Sequence, residues 1–106
     1  MIAGSYRILL HPDVLALDSK RFDRTTKDKI KSKCLELLSR HPDEAGERLK
    51  RELFGYRKLK VFNDYRVVYH VDRKRKEVLI LSVGIRRNQE VYREALKRLK
   101  ALLHNR

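Results

Sequence analysis

Residues 57–71 read Arg57-Lys58-Leu59-Lys60-Val61-Phe62-Asn63-Asp64-Tyr65-Arg66-Val67-Val68-Tyr69-His70-Val71, and this stretch decides the fold. It opens with cationic and apolar residues in strict alternation, the mark of a half-buried strand. Asn63-Asp64 is a turn signal, and Tyr65 to Val71 is rich in β-branched and aromatic residues, so the two runs form a hairpin. Loop length then fixes which residues face each other. A two-residue loop at Asn63-Asp64 would set Lys60 opposite Val67 and put Lys58 and Lys60 among core residues, where unpaired cations are costly. A three-residue loop of Phe62, Asn63 and Asp64 sets Lys60 opposite Arg66 instead, and we expect that one.

Outward from the hairpin, Arg73-Lys74-Arg75-Lys76 is a charged turn, and Val78 to Ile85 is a further strand, apolar on both faces and so central. Leu59, Val61, Val67, Tyr69, Val71, Leu79, Leu81, Val83 and Ile85 are odd-numbered and apolar, while Lys58, Lys60, Arg66 and Arg86 are even-numbered and cationic. Strand parity therefore predicts one apolar face and one cationic face. Upstream, Tyr6 to Leu10 reads as a strand, and Pro12 opens a helix carrying Val14, Leu15 and Leu17 that ends near Arg21. Thr25 or Thr26 caps a second helix, whose Ile30, Cys34, Leu37 and Leu38 form an apolar stripe; His41-Pro42 ends it. Residues 43–54 connect. Asn88 caps a last helix with Val91, Tyr92, Ala95, Leu96, Leu99, Leu102 and Leu103 along one side. The order β-α-α-β-β-β-α predicts one α+β domain over residues 1–106, with an antiparallel-dominated sheet and its helices packed on one face.

The 106 residues include 27 Lys+Arg against 14 Asp+Glu, a formal net charge of +13. Up to Glu47 the two signs nearly balance, at 9 against 8; from Arg48 onward they stand at 18 against 6. Such a lopsided field attracts polyanions and gains affinity by releasing their counterions. No apolar run approaches the roughly 20 residues of a membrane span, so no membrane partner is expected. Met1 to Ser5 lacks the basic start and long apolar stretch of a signal peptide, and the one cysteine, Cys34, suits a reducing cytoplasm. His11, His41, His70 and His104 are scattered without metal-ligand spacing, and no cofactor is expected.

Cations placed side by side repel, so a face that gathers them expects an anion. A phosphodiester fits, and the same groups supply a chemistry. Cleavage of RNA by its own 2′-hydroxyl needs a base for that hydroxyl, charge stabilisation at the phosphorane and an acid for the departing 5′-oxygen. Clustered cations favour a neutral lysine, so Lys58 or Lys60 can serve as base. Arginines can hold phosphorane oxygens in a bidentate grip.

Gly55-Tyr56-Arg57-Lys58-Leu59-Lys60-Val61, Asp64-Tyr65-Arg66-Val67-Val68-Tyr69, Val83-Gly84-Ile85-Arg86 and Glu90-Val91-Tyr92 resemble the RelE/ParE superfamily of toxin–antitoxin toxins, from Tyr6 to about Leu99. One branch cleaves mRNA in the ribosomal A site; the other poisons DNA gyrase. The Lys-x-Lys pair, Arg66, Arg86 and Tyr92 resemble the RelE-like, RNA-cleaving branch. The resemblance implies that one lysine is the base, with Arg57 also able to occupy a lysine place. It implies that Arg86 is the acid or a phosphate contact, that Arg66 stabilises charge and that Tyr92 stacks on or orients the substrate. His70 is an added candidate base. Arg57, His70, Arg73, Lys74, Arg75, Lys76 and Arg87 are candidate RNA or ribosome contacts. The implied partners are the ribosome, mRNA and a small acidic antitoxin. Two other functions fit the same charge pattern, a ParE-like gyrase inhibitor and a non-catalytic RNA- or ribosome-binding module.

Overall fold

The computed structural model describes residues 5–104; the expectations placed on Met1 to Gly4 and on the side chain of Asn88 lie outside the described residues. Strand β1 (Arg7–Leu10) leads through a π-helical turn (Val14–Asp18) and a 3-10 turn (Ser19–Arg21) to helix α1 (Arg24–Leu38). A one-turn helix α2 (Pro42–Ala45), strand β2 (Glu47–Arg48) and a 3-10 turn (Arg51–Leu53) follow. Then come β3 (Arg57–Val61), β4 (Tyr65–Asp72), β5 (Glu77–Ile85), a 3-10 turn (Arg87–Gln89) and α3 (Glu90–His104). The sheet has five strands in the order β1-β5-β4-β3-β2. Only the β1–β5 pairing is parallel. The expected α+β architecture with a mostly antiparallel sheet is therefore what the chain adopts.

Local chemistry explains where elements start. The cap of α1 is Asp23, whose carboxylate accepts the Thr26 backbone N–H at 2.7 Å, rather than Thr25 or Thr26. That bond holds the Asp23 carboxyl below its ordinary pKa. Pro42 opens α2 at its first turn, where a missing N–H costs nothing. The first expected helix forms only as π and 3-10 turns.

The hairpin has the three-residue loop: Val61 pairs Tyr65 and Lys60 pairs Arg66. Parity holds across β3 and β4 and breaks in β5. Val68 pairs Ser82 but Tyr69 pairs Ile80, so Leu81 is an extra residue in β5. This bulge reverses the faces beyond it. Val78 and Ile80, not Leu79 and Leu81, join Leu59, Val61, Val67 and Tyr69 under α1, against Ile30, Cys34 and Leu38. Leu81 joins Val68 and Leu53 on the other face, under Val91 and Ala95 of α3. The expectation of helices on one face is thus corrected. Val67 and Val68 are adjacent in a strand and seat different helices, so α1 and α3 clasp the sheet from opposite sides.

Beyond Ile80, β5 has no β1 residue beside it. That open edge is closed by side chains. The buried carboxylate of Asp18 accepts the Val83 N–H at 2.8 Å. It also takes both Nη1 and Nη2 of buried Arg98 from α3, at 2.8 and 2.7 Å. Arg98 Nη1 also donates to the Leu81 carbonyl at 3.0 Å.

Candidate phosphodiester site

The face shared by β3, β4 and the start of α3 carries the site. Lys58 lies beside Val68, which packs under α3, so the even-numbered residues of β3 look toward that helix. One row runs Lys60, Arg66, Gly84 across β3, β4 and β5. Gly84 is where α3 crosses the row: a Cβ there would sit 3.1 Å from Val91 Cβ. With Val91 seated on Gly84, the next residue, Tyr92, lies close enough to Arg66 for the guanidinium charge to act on its hydroxyl. Burial raises the Tyr92 pKa, and Glu47 raises it further against the lowering effect of Arg66. The hydroxyl therefore keeps its proton at neutral pH and can donate.

Arg66 also organises the hairpin tip. Its Nη1 donates to the carbonyls of Asn63 and Tyr65, each at 2.9 Å. The Arg86 backbone N–H donates to the Asp64 carbonyl at 3.0 Å, which holds exposed Arg86 at the same end of the sheet. Lys60, Arg66, Arg86 and Tyr92 are thus gathered at one end, with half-buried Lys58 two residues from Lys60 along β3.

Glu47 belongs to this site and was not singled out in the sequence. It pairs with Lys58 across β2 and β3, and its Oε1 stands 3.7 Å from Lys60 Nζ. Gly46 lets this corner close, because a Cβ there would meet the Lys58 carbonyl and the Tyr69 hydroxyl at 2.5 Å. The only available signal was the last of three acidic residues, Asp43, Glu44 and Glu47, ahead of a strongly basic half, and a two-residue strand leaves no periodicity to read.

Other expected contacts lie elsewhere. Arg57 faces α2, where Nη1 donates to the Gly46 carbonyl at 3.2 Å and Nη2 lies 3.8 Å from Asp43, so it takes no lysine place in the site. His70 shares the α3 face, but its ring packs against Tyr56 at 5.2 Å with the planes tilted by 45°, and it stands four strand positions, about 13 Å, from Arg66. In the β4–β5 turn, Arg73 is held by both Asp43 oxygens and Lys76 sits 4.9 Å over the Tyr6 ring. Lys74, Arg75 and Arg87 are exposed and make no ion pair among the described residues. No group of three or more metal-ligating side chains occurs among the described residues.

The fold is similar to those of known proteins. The chain resembles the RelBE2 toxin–antitoxin complex of Mycobacterium tuberculosis at 26% identity and TM-score 0.71, over 77% of this chain and 92% of that one. It resembles an arginine-substituted Escherichia coli RelE toxin in the free state at 27% identity and TM-score 0.71, over 90% and 98%. The archaeal RelE–RelB complex of Pyrococcus horikoshii, at 24% identity and TM-score 0.58 over 79% and 98%, shares the fold. No curated protein matches the sequence. The family model for the ParE toxin of the type II toxin–antitoxin system ParDE matches residues 5–90, which takes in both sheet faces, the cationic row and the edge closed by Asp18. By that match the chain belongs to the ParE toxin family of type II toxin–antitoxin systems, and its sheet and helices have the RelE-like form.

Proposed function

We propose that residues 1–106 act as one toxin domain, a ribosome-dependent mRNA endoribonuclease of the cytoplasm, held in check by an acidic antitoxin. The observation that carries this reading is the row in which Lys60 lies directly opposite Arg66, with Tyr92 near the Arg66 guanidinium. Lys58 or Lys60, acting as the neutral amine, takes the proton of the 2′-hydroxyl. The 2′-oxygen attacks phosphorus, and Arg66 holds the charge of the phosphorane. Arg86 contacts the phosphate or returns a proton to the 5′-oxygen as its bond to phosphorus breaks. The products carry a 2′,3′-cyclic phosphate and a 5′-hydroxyl. Tyr92 orients the phosphate, and Glu47 positions the Lys60 side chain on this face. Lys74, Arg75 and Arg87 supply ribosome contacts without chemistry.

A gyrase-directed toxin is the second reading, favoured by the ParE description of the matching family model. Primer extension on mRNA in a purified translation system separates the two. The expected result is discrete cleavage with 5′-hydroxyl ends. Intact mRNA together with gyrase–DNA cleavage complexes would overturn the nuclease in favour of the second reading.

A further inference from the structure

The tip of the β3–β4 hairpin is unusual. It contains no glycine, yet Phe62 and Asn63 both have positive φ, at 49° and 65°. A phenylalanine in the left-handed region is strained. The strain is maintained by site residues: Arg66 binds the Asn63 carbonyl and the Arg86 N–H binds the Asp64 carbonyl. The conformation also carries the Phe62 side chain out of the cationic face. Its ring, 51% exposed, forms one wall of a shallow depression of about 440 Å³ on the polar side of α1, with Thr25, Asp28, Lys29, Ser32, Lys33 and Glu36. Lys33 is 3.7 Å from Glu36, whereas Lys29 makes no ion pair among the described residues. An exposed ring is an apolar surface that packing does not use, fixed here beside two ammonium groups, two carboxylates and two hydroxyls, with Lys29 the lysine that makes no ion pair among the described residues.

We propose that this depression is a nucleobase-stacking subsite for single-stranded RNA. A base stacks on the Phe62 ring, and Lys29 meets the adjoining phosphate. The hairpin tip separates this depression from the Lys60–Arg66 row, so an RNA strand engaged at the row passes the tip to reach Phe62. The bound base is thus a neighbour of the scissile phosphate, not part of it. The subsite rests on the proposal that the row binds RNA, but it adds recognition of a base, which no cation in the row provides.

The chain has no tryptophan, so Phe62→Trp introduces a single reporter at the wall of the depression. A fluorescently labelled oligoadenylate and an abasic ribose-phosphate oligomer of equal length would be titrated against this variant. Anisotropy reads binding, and tryptophan emission reads stacking. The expected result is quenching by oligoadenylate and little by the abasic chain. Phe62→Ala should weaken oligoadenylate binding about tenfold, the loss of one stacked base, while Phe62→Tyr retains it. Binding without quenching, or equal affinity of wild type and Phe62→Ala, would overturn the subsite and leave RNA binding at the row standing. Absence of any RNA binding would overturn both. Quenching without mRNA cleavage in translation would leave the subsite and remove the nuclease.

Discussion

At the scale of single residues, the site depends on groups whose packing and chemistry can be separated. Tyr92→Phe deletes the hydroxyl near Arg66 and keeps the ring, so the fold should persist while cleavage slows about tenfold, the size of one lost hydrogen bond to the substrate phosphate, about 1.4 kcal/mol. Glu47→Gln should act differently. It frees the Lys60 ammonium, so RNA affinity should rise slightly in a filter-binding titration as one repulsive charge leaves the face. Two groups outside the site set the alkaline limit of folding. Burial pushes the Cys34 thiol from 9.0 and the Tyr69 hydroxyl from 10.0, each up to about 12. Both are raised in the folded state, so the folded chain keeps protons that the unfolded chain gives up. Stability from these groups is complete below pH 9 and declines as pH rises from 9 towards 12. Urea midpoints measured across that window should fall, and Cys34→Ser should remove the earlier part of the fall. The Lys60–Arg66 pairing was legible in the sequence because placing lysines in a core costs more than lengthening a turn by a residue. The Tyr92–Arg66 proximity was not, since only the crossing of α3 over Gly84 creates it.

At the scale of elements, the hydrophobic pattern gave strand and helix identities but not the face each helix covers. The alternation in Leu59, Val61, Val67 and Tyr69 is a property of each strand. The bulge that brings Val78 and Ile80 to the same face arises between strands and leaves no mark in a β5 sequence that is apolar at nearly every position. The same limit hid the Asp18–Arg98 pair, 80 residues apart in the chain. Each residue reads as an ordinary surface charge, and only the shortness of β1 gives them an edge to close. Asp18→Asn should cost about 3–5 kcal/mol in chemical denaturation, because it strands a guanidinium that is 3% exposed. Replacing both residues by Leu and Met should recover much of that loss. Gly46→Ala should be destabilising by about 1–3 kcal/mol, since the added methyl meets backbone and the Tyr69 ring. It should also impair the site, because Glu47 enters β2 directly from this glycine.

For the whole molecule, the charge of +13 resolves into parts with different work. Some of it is internal: Arg98, Arg57 and Arg73 hold elements together through Asp18 and Asp43. Some forms the row at the end of β3, β4 and β5, and the remainder, including Lys74, Arg75 and Arg87, is spread over the surface. Affinity for RNA should fall steeply with salt, and Lys74→Ala with Arg75→Ala should reduce the slope by about 2 without altering the cleavage step on bound mRNA. No described helix is long and apolar enough to cross a membrane. The measurement that bears most directly on the row is the single-turnover rate of mRNA cleavage on programmed ribosomes, for wild type, Lys60→Ala and Arg86→Ala, each first checked for native folding. If the row is catalytic, wild type cleaves and both variants are slowed by about 10²-fold or more. Cleavage by both variants at the wild-type rate would contradict the assignment of the row, and no cleavage by folded wild type would contradict the nuclease itself.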